Sequence, residues 1–136
     1  MSLPSFQFPV RVYYEDTDAG GIVYYANYLK FFERARTEWL RTLGIEQSKF
    51  LEHSIGFVVR RVEMDNLASA RLDDALTVHS QIVRLKRASI IFEQQITDSN
   101  GKELCRVSVS VACIDFTKHK PCPIPEFILG ALKSVS

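Results

Sequence analysis

The chain has 136 residues, 46% apolar and 24% charged, with a formal net charge of +1. That length suits one domain with a sizeable core and is too short for two. The near-neutral balance argues against a nucleic-acid or anionic-membrane partner, and no apolar run approaches the ~20 residues that span a bilayer.

The first residues, Met1 to Pro9, hold neither a cationic region nor a sustained apolar core. They do not read as a secretory signal, and the cytoplasm is the default compartment. Phe6, Phe8, Val10, Val12 and Tyr14 alternate with Gln7, Arg11 and Tyr13, which predicts a first strand over residues 6–14. Pro9 fits an edge position or the early part of the strand. An acidic run, Glu15-Asp16-Thr17-Asp18, then meets Gly20-Gly21, marking a tight loop where a ligand can approach the main chain. Tyr28, Phe31, Phe32, Ala35, Trp39 and Leu43 form an apolar stripe at helical spacing, predicting a central helix over residues 26–43 that Gly44 stops. Arg34 with Glu38 and Glu33 with Arg36 are spaced for its polar side. A short helical turn follows over Gln47 to His53.

The period then changes. Residues 57–67, 75–85, 89–97 and 103–115 are rich in Val, Ile, Phe and Thr and alternate in part, so they read as strands. Asp98-Ser99-Asn100-Gly101 is a hairpin turn, with Asn-Gly supplying the positive φ angles. Leu72-Asp73-Asp74 is a second turn, and residues 84–87 join two strands. Pro121, Pro123 and Pro125 end the sheet, and Glu126 to Leu132 form a loosely docked helix. One strand, one long helix and four antiparallel strands make an α+β domain with the helix on one face of the sheet. Such a sheet leaves an edge that is usually covered by pairing.

His53, His79 and His119 show no metal-ligand spacing, and no Cys-x-x-Cys occurs. Cys105 and Cys113 lie roughly 26 Å apart along one strand, too far for a disulfide. Cys122 sits alone in the Pro-rich tail, so three reduced structural thiols are expected. The chemistry points to the acidic loop instead. A carboxylate just ahead of a helix N-terminus suits acyl transfer: free N–H groups hold an oxyanion while the carboxylate attacks or activates water. Asp18 is the candidate, and spacing alone leaves an Asx turn open for it. Asp16 is expected to serve the turn, and Glu33 to be ion-paired or solvated.

The run Val12-Tyr13-Tyr14-Glu15-Asp16-Thr17-Asp18-Ala19-Gly20-Gly21 continues as Tyr24-Tyr25-Ala26-Asn27-Tyr28 and Glu33-Arg34-Ala35-Arg36-Thr37-Glu38. With Phe57-Val58-Val59-Arg60 and Ala70-Arg71-Leu72-Asp73-Asp74, it resembles the YbgC-type acyl-CoA thioesterases of the 4-hydroxybenzoyl-CoA thioesterase family. The resemblance covers nearly the whole chain. It implies a single hotdog thioesterase domain over residues 1–136, a five-stranded antiparallel sheet wrapped around one long central helix. It further implies a homodimer or homotetramer with acyl-CoA sites between subunits. The implied reaction is hydrolysis of an acyl-CoA thioester to a free acid and CoA. No cofactor is implied, since CoA is part of the substrate.

The resemblance places the catalytic aspartate on Asp18, the N–H that polarises the thioester carbonyl on Tyr25, and a further active-site tyrosine on Tyr14. Many YbgC-type members carry histidine at this position; this chain has Tyr25, and tyrosine is also the residue found there in the 4-hydroxybenzoyl-CoA branch. A phenol does not exchange its proton near neutrality as imidazole does, so the backbone role carries over and a side-chain acid–base role does not. Lys86 and Arg87, within Arg84-Leu85-Lys86-Arg87, align with the family's phosphate-contacting loop and suit the CoA phosphates. A solvated turn is the other reading. An aromatic-acyl thioesterase and a non-catalytic acyl-CoA or acyl-carrier-protein binding module are the alternatives. The intact Asp18–Gly21 turn disfavours the module, and the lack of histidine in that loop disfavours a hotdog dehydratase.

Overall fold

The computed structural model describes residues 4–136, so the reading of the first three residues as part of a segment without a signal lies outside it. In chain order the elements are β1 (Phe6–Arg11), α1 (Asn27–Thr42), α2 (Gln47–Leu51), β2 (Ile55–Asn66), β3 (Ala75–Leu85), β4 (Ser89–Thr97), β5 (Glu103–Asp115), β6 (Lys120–Pro121) and α3 (Glu126–Lys133). The sheet is antiparallel, ordered β1-β3-β4-β5-β2, with β6 against the end of β5. It curls around α1 in the hotdog arrangement.

Period-2 burial builds the inner wall: Leu76, Val78 and Ile82 of β3, Ile90, Phe92 and Ile96 of β4, and Val107, Val109 and Val111 of β5 are all buried. Against them lie Phe31, Phe32, Ala35 and Trp39 of α1. Trp39 stacks on Phe6 at 5.8 Å and meets Phe92 edge-on at 6.2 Å, tying the helix to both β1 and β4. Truncating Phe31 or Phe32, both fully buried, costs about 3–5 kcal/mol on the usual scale for a core Phe→Ala.

Several expectations change. The first strand stops at Arg11, because Val12 N–H turns to Asp74 O and Tyr14–Asp16 form a 3₁₀ turn. Arg36 is not on the polar side of α1 but 9% exposed against the sheet. Its Nη1 donates to Gln94 Oε1 at 2.9 Å, and Gln94 Nε2 donates in turn to Phe32 O and Ser80 Oγ. Burial pulls this guanidinium down to about 10, with Glu33 opposing the shift. In the hairpin after β4 only Gly101 has positive φ, at +82°, while Asp98 Oδ1 holds the Asn100 and Lys102 N–H groups. The prolines do not end the sheet, since Lys120 and Pro121 add β6, and this brings Cys122 beside Cys113 rather than leaving it alone. α3 is firmly docked through buried Ile128 and Leu132.

Among the described residues β2 pairs only with β5, which leaves its other edge open along all 12 residues. Val58, Val59 and Val62 on this strand are exposed, an arrangement that favours strand pairing with another chain.

Candidate active site

The acidic loop is built by its two aspartates in different ways. Asp16 is 4% exposed; its Oδ2 accepts from Tyr13 N–H at 2.8 Å and its Oδ1 from Asn27 Nδ2 at 3.2 Å. It stitches the entry of the loop to the first residue of α1. Asp18 is exposed, and its Oδ1 accepts from Gly20 N–H at 2.8 Å while its Oδ2 has no protein partner among the described residues. The turn closes through Asp18 N–H to Ile22 O and Gly21 N–H to Asp18 O, and it requires Gly21 at a φ of +78°. A Cβ on Gly20 would lie 3.3 Å from Asp18 Oδ1, so a glycine there leaves the carboxylate its place.

The chain returns beside residues 66–71. Val23 N–H donates to Ala70 O, and the buried Tyr28 hydroxyl accepts from Ala70 N–H at 2.9 Å. Burial raises the Tyr28 phenol, so it stays protonated. α1 starts with no side-chain cap: Asn27 N–H bonds Tyr24 O and Tyr28 N–H bonds Tyr25 O. The N–H groups of Tyr25 and Ala26 find no intramolecular acceptor among the described residues. Uncapped donors at the positive end of a helix form a site for developing negative charge.

Asp18 and Tyr25 line one cleft of about 510 Å³ with Tyr24, Asn66, Leu67 and Ser69. The Tyr24 and Tyr25 rings pack at 5.0 Å and form an aromatic lip. A second hollow of about 500 Å³ lies on the outer sheet face, lined by Glu63, Asp65, His79, Glu93 and Arg106. It offers an acyl group little apolar wall.

The remaining candidates are elsewhere. Tyr14 is 83% exposed on the 3₁₀ turn and does not line the Asp18 cleft. Glu33 is eight residues past Tyr25 on α1, about 12 Å of helix rise. Lys86 and Arg87 lie beyond the far end of β3, whose 11 residues separate them from the Asp18 loop, roughly 33 Å at strand rise. The wall from Asn66 to Ser69 escaped the sequence reading, because a strand's exit carries no periodic signal.

A family model of the thioesterase-like superfamily matches residues 12–132. The acyl-CoA thioesterase YbgC of Haemophilus influenzae is 50% identical over 127 residues, covering 93% of each chain. The chain belongs to this thioesterase family. The crystal structure of a probable thioesterase from Bartonella henselae is 36% identical, with a TM-score of 0.83 over 89% of this chain and 99% of that one. A 1,4-dihydroxy-2-naphthoyl-CoA thioesterase from Synechocystis, at 22% identity, shares the fold with a TM-score of 0.90 over 96% of this chain and 97% of that one. Among the described residues no helix is long and apolar enough to cross a membrane.

Proposed function

We propose that this family member hydrolyses acyl-CoA thioesters in the cytoplasm, with Asp18 as the reacting carboxylate. The carrying observation is the shared cleft, where Asp18 has one oxygen tied to Gly20 and the other without a partner among the described residues, beside the open N–H of Tyr25. The thioester carbonyl oxygen sits on the Tyr25 N–H and the N-terminus of α1, which hold the oxyanion as the tetrahedral species forms. Asp18 either attacks the carbonyl carbon or takes the proton of an attacking water. Where Asp18 activates water, collapse expels the CoA thiolate, which takes up the proton held by Asp18, and leaves the free acid. Where Asp18 attacks, collapse expels the thiolate and leaves an acyl-aspartyl anhydride, which a water then hydrolyses to the free acid and the Asp18 carboxylate. No further cofactor is needed for these steps.

The site is completed by a second copy. An open β2 edge with exposed Val58, Val59 and Val62 pairs with its own copy around a two-fold axis. Antiparallel pairing about the middle of β2 brings the Phe57 end of one chain to the Asn66 end of the other. Lys86 and Arg87 follow the Phe57 end, so the cationic turn of each chain reaches toward its partner's Asp18 cleft to hold the CoA phosphates. The Tyr24–Tyr25 lip favours aromatic acyl groups as a second reading.

Thiol release from short-chain, long-chain and benzoyl-CoA esters, and from acyl-carrier-protein esters, tests the reading and ranks the acyl groups. Release from none of them, with acyl-CoA still bound, would reduce the chain to a binding module.

A further inference from the structure

The three cysteines of the sequence are not equivalent. Cys113 Sγ and Cys122 Sγ lie 3.6 Å apart, and Cys122 N–H donates to Cys113 O at 2.9 Å. The pairs Ile114–Pro121 and Asp115–Lys120 continue to this point, so the two cysteines face each other across β5 and the start of the tail. Directly opposed residues of an antiparallel pair have Cα atoms about 4.5–5.5 Å apart, inside the range a disulfide spans. A side-chain rotation closes the remaining gap without moving the backbone. Cys105, by contrast, is fully buried, with Asn66 Oδ1 at 3.8 Å.

We infer that Cys113 and Cys122 form an oxidisable dithiol site, closed to an intramolecular disulfide by hydrogen peroxide. Cys122 is part-exposed and Cys113 fully buried, so the oxidant meets Cys122 first. The Cys122 sulfur attacks the peroxide, the O–O bond breaks, hydroxide leaves, and a sulfenic acid forms. Cys113 Sγ then attacks that sulfur; the S–S bond forms, the S–O bond breaks, and water leaves. Two thiols lose two electrons and two protons, and the peroxide becomes two waters. Burial first, then the neighbouring Cys122, pushes Cys113 up to about 12, so Cys113 does not initiate the chemistry.

The cross-link would act on a particular segment. Ile124 N–H holds Arg87 O at 2.8 Å and Cys113 N–H holds Ala88 O at 2.9 Å, so the pair lies directly under the Lys86–Arg87 turn. Oxidation pins the tail and that turn to β5.

The test exposes reduced protein to hydrogen peroxide, quenches it, alkylates it in denaturant, and maps the thiols by mass spectrometry. The expected result is two thiols lost and one left, on Cys105, with dithiothreitol restoring all three. Amide exchange at Cys122 and Ile124 should slow in the oxidised protein. Cys122→Ser should keep both remaining thiols at the same dose, and Cys113→Ser should stop at a Cys122 sulfenic acid trapped by dimedone. Wild-type protein that keeps three thiols at that dose, stops at an oxyacid of Cys122, or links two chains would overturn the inference. Since Cys122 is part-exposed, its serine variant remains informative even if Cys113→Ser misfolds.

Discussion

Asp18 and Arg87 stand at opposite ends of the same sheet, one beside the start of β3 and the other just past its end. A nucleotide end and a thioester end of one CoA cannot serve both from a single chain without spanning the sheet. This makes the two positions a test of which chain supplies which part.

Asp18→Asn and the double variant Lys86→Ala, Arg87→Ala should each be poor catalysts at low substrate. The double variant loses binding, so its KM rises and its kcat is largely spared. Mixed and allowed to exchange subunits, the two should regain activity. Each heterodimer contains one site with Asp18 and the cationic turn both intact. Additive residual rates with no recovery would place the turn and Asp18 in one chain's site or in none.

Asp18→Asn alone should lower kcat by ~10²–10⁴, the usual loss of a general base. Stability should move by ~1 kcal/mol or less, since an amide oxygen still accepts from Gly20 N–H. Asp16→Asn should behave in the opposite way. An amide cannot accept from both Tyr13 N–H and Asn27 Nδ2, so the fold should lose about 1–3 kcal/mol while folded molecules keep turning over. Urea midpoints and kcat measured on both variants check this, and a dead but stable Asp16→Asn would transfer the chemistry to that residue.

Tyr25→Phe should keep most of kcat, because the role assigned to Tyr25 belongs to its N–H. Gly20→Ala should lower kcat without comparable loss of binding, because the new Cβ crowds Asp18 Oδ1 at 3.3 Å. A large kcat loss in Tyr25→Phe would show that the hydroxyl takes part.

Alkaline pH should destabilise the fold through its buried thiols. Burial first, then Asp65 and Glu103, raises Cys105 from 9.0 to about 12, and Cys113 reaches about 12 as well. Above the unfolded value the unfolded chain releases protons that the folded chain retains. Stability present below pH 9.0 is therefore lost as pH rises toward about 12. Each thiol contributes up to about 1.4 kcal/mol per pH unit. Arg36, pulled down to about 10, acts with the opposite sign once pH climbs through that value, so the cleanest window is pH 9 to 10. Urea titrations across it should show a shallower slope for Cys105→Ala than for wild type.

The strands were legible because their inner residues alternate: β3, β4 and β5 run over the residues that periodicity predicts. α1 was legible from its bulky stripe. Arg36 was not, since a charged residue at helical spacing looks solvated until Gln94, 58 positions later, is brought opposite it. Cys122 was misread for the same reason, its partner being set by a two-residue strand too short to carry a pattern. Asp18 and Tyr25 were legible as neighbours because the loop between them is local. Their separation from Lys86 and Arg87 was not, because sequence spacing does not say at which end of a sheet a turn falls.

The Gln94 side chain grips α1 twice, at the Phe32 carbonyl and at the Arg36 guanidinium. A helix held by one apolar face can slide or roll by small amounts, because dispersion contacts are not directional. Two hydrogen bonds from one amide permit a single roll angle and a single axial setting. The bearing of the Tyr25 donor is therefore fixed from the middle of the sheet, eleven residues downstream at Arg36. Gln94→Leu would strip the buried Arg36 guanidinium of its acceptor, at a cost of about 1–3 kcal/mol or more, and in the molecules that still fold would free the helix to aim its first turn elsewhere.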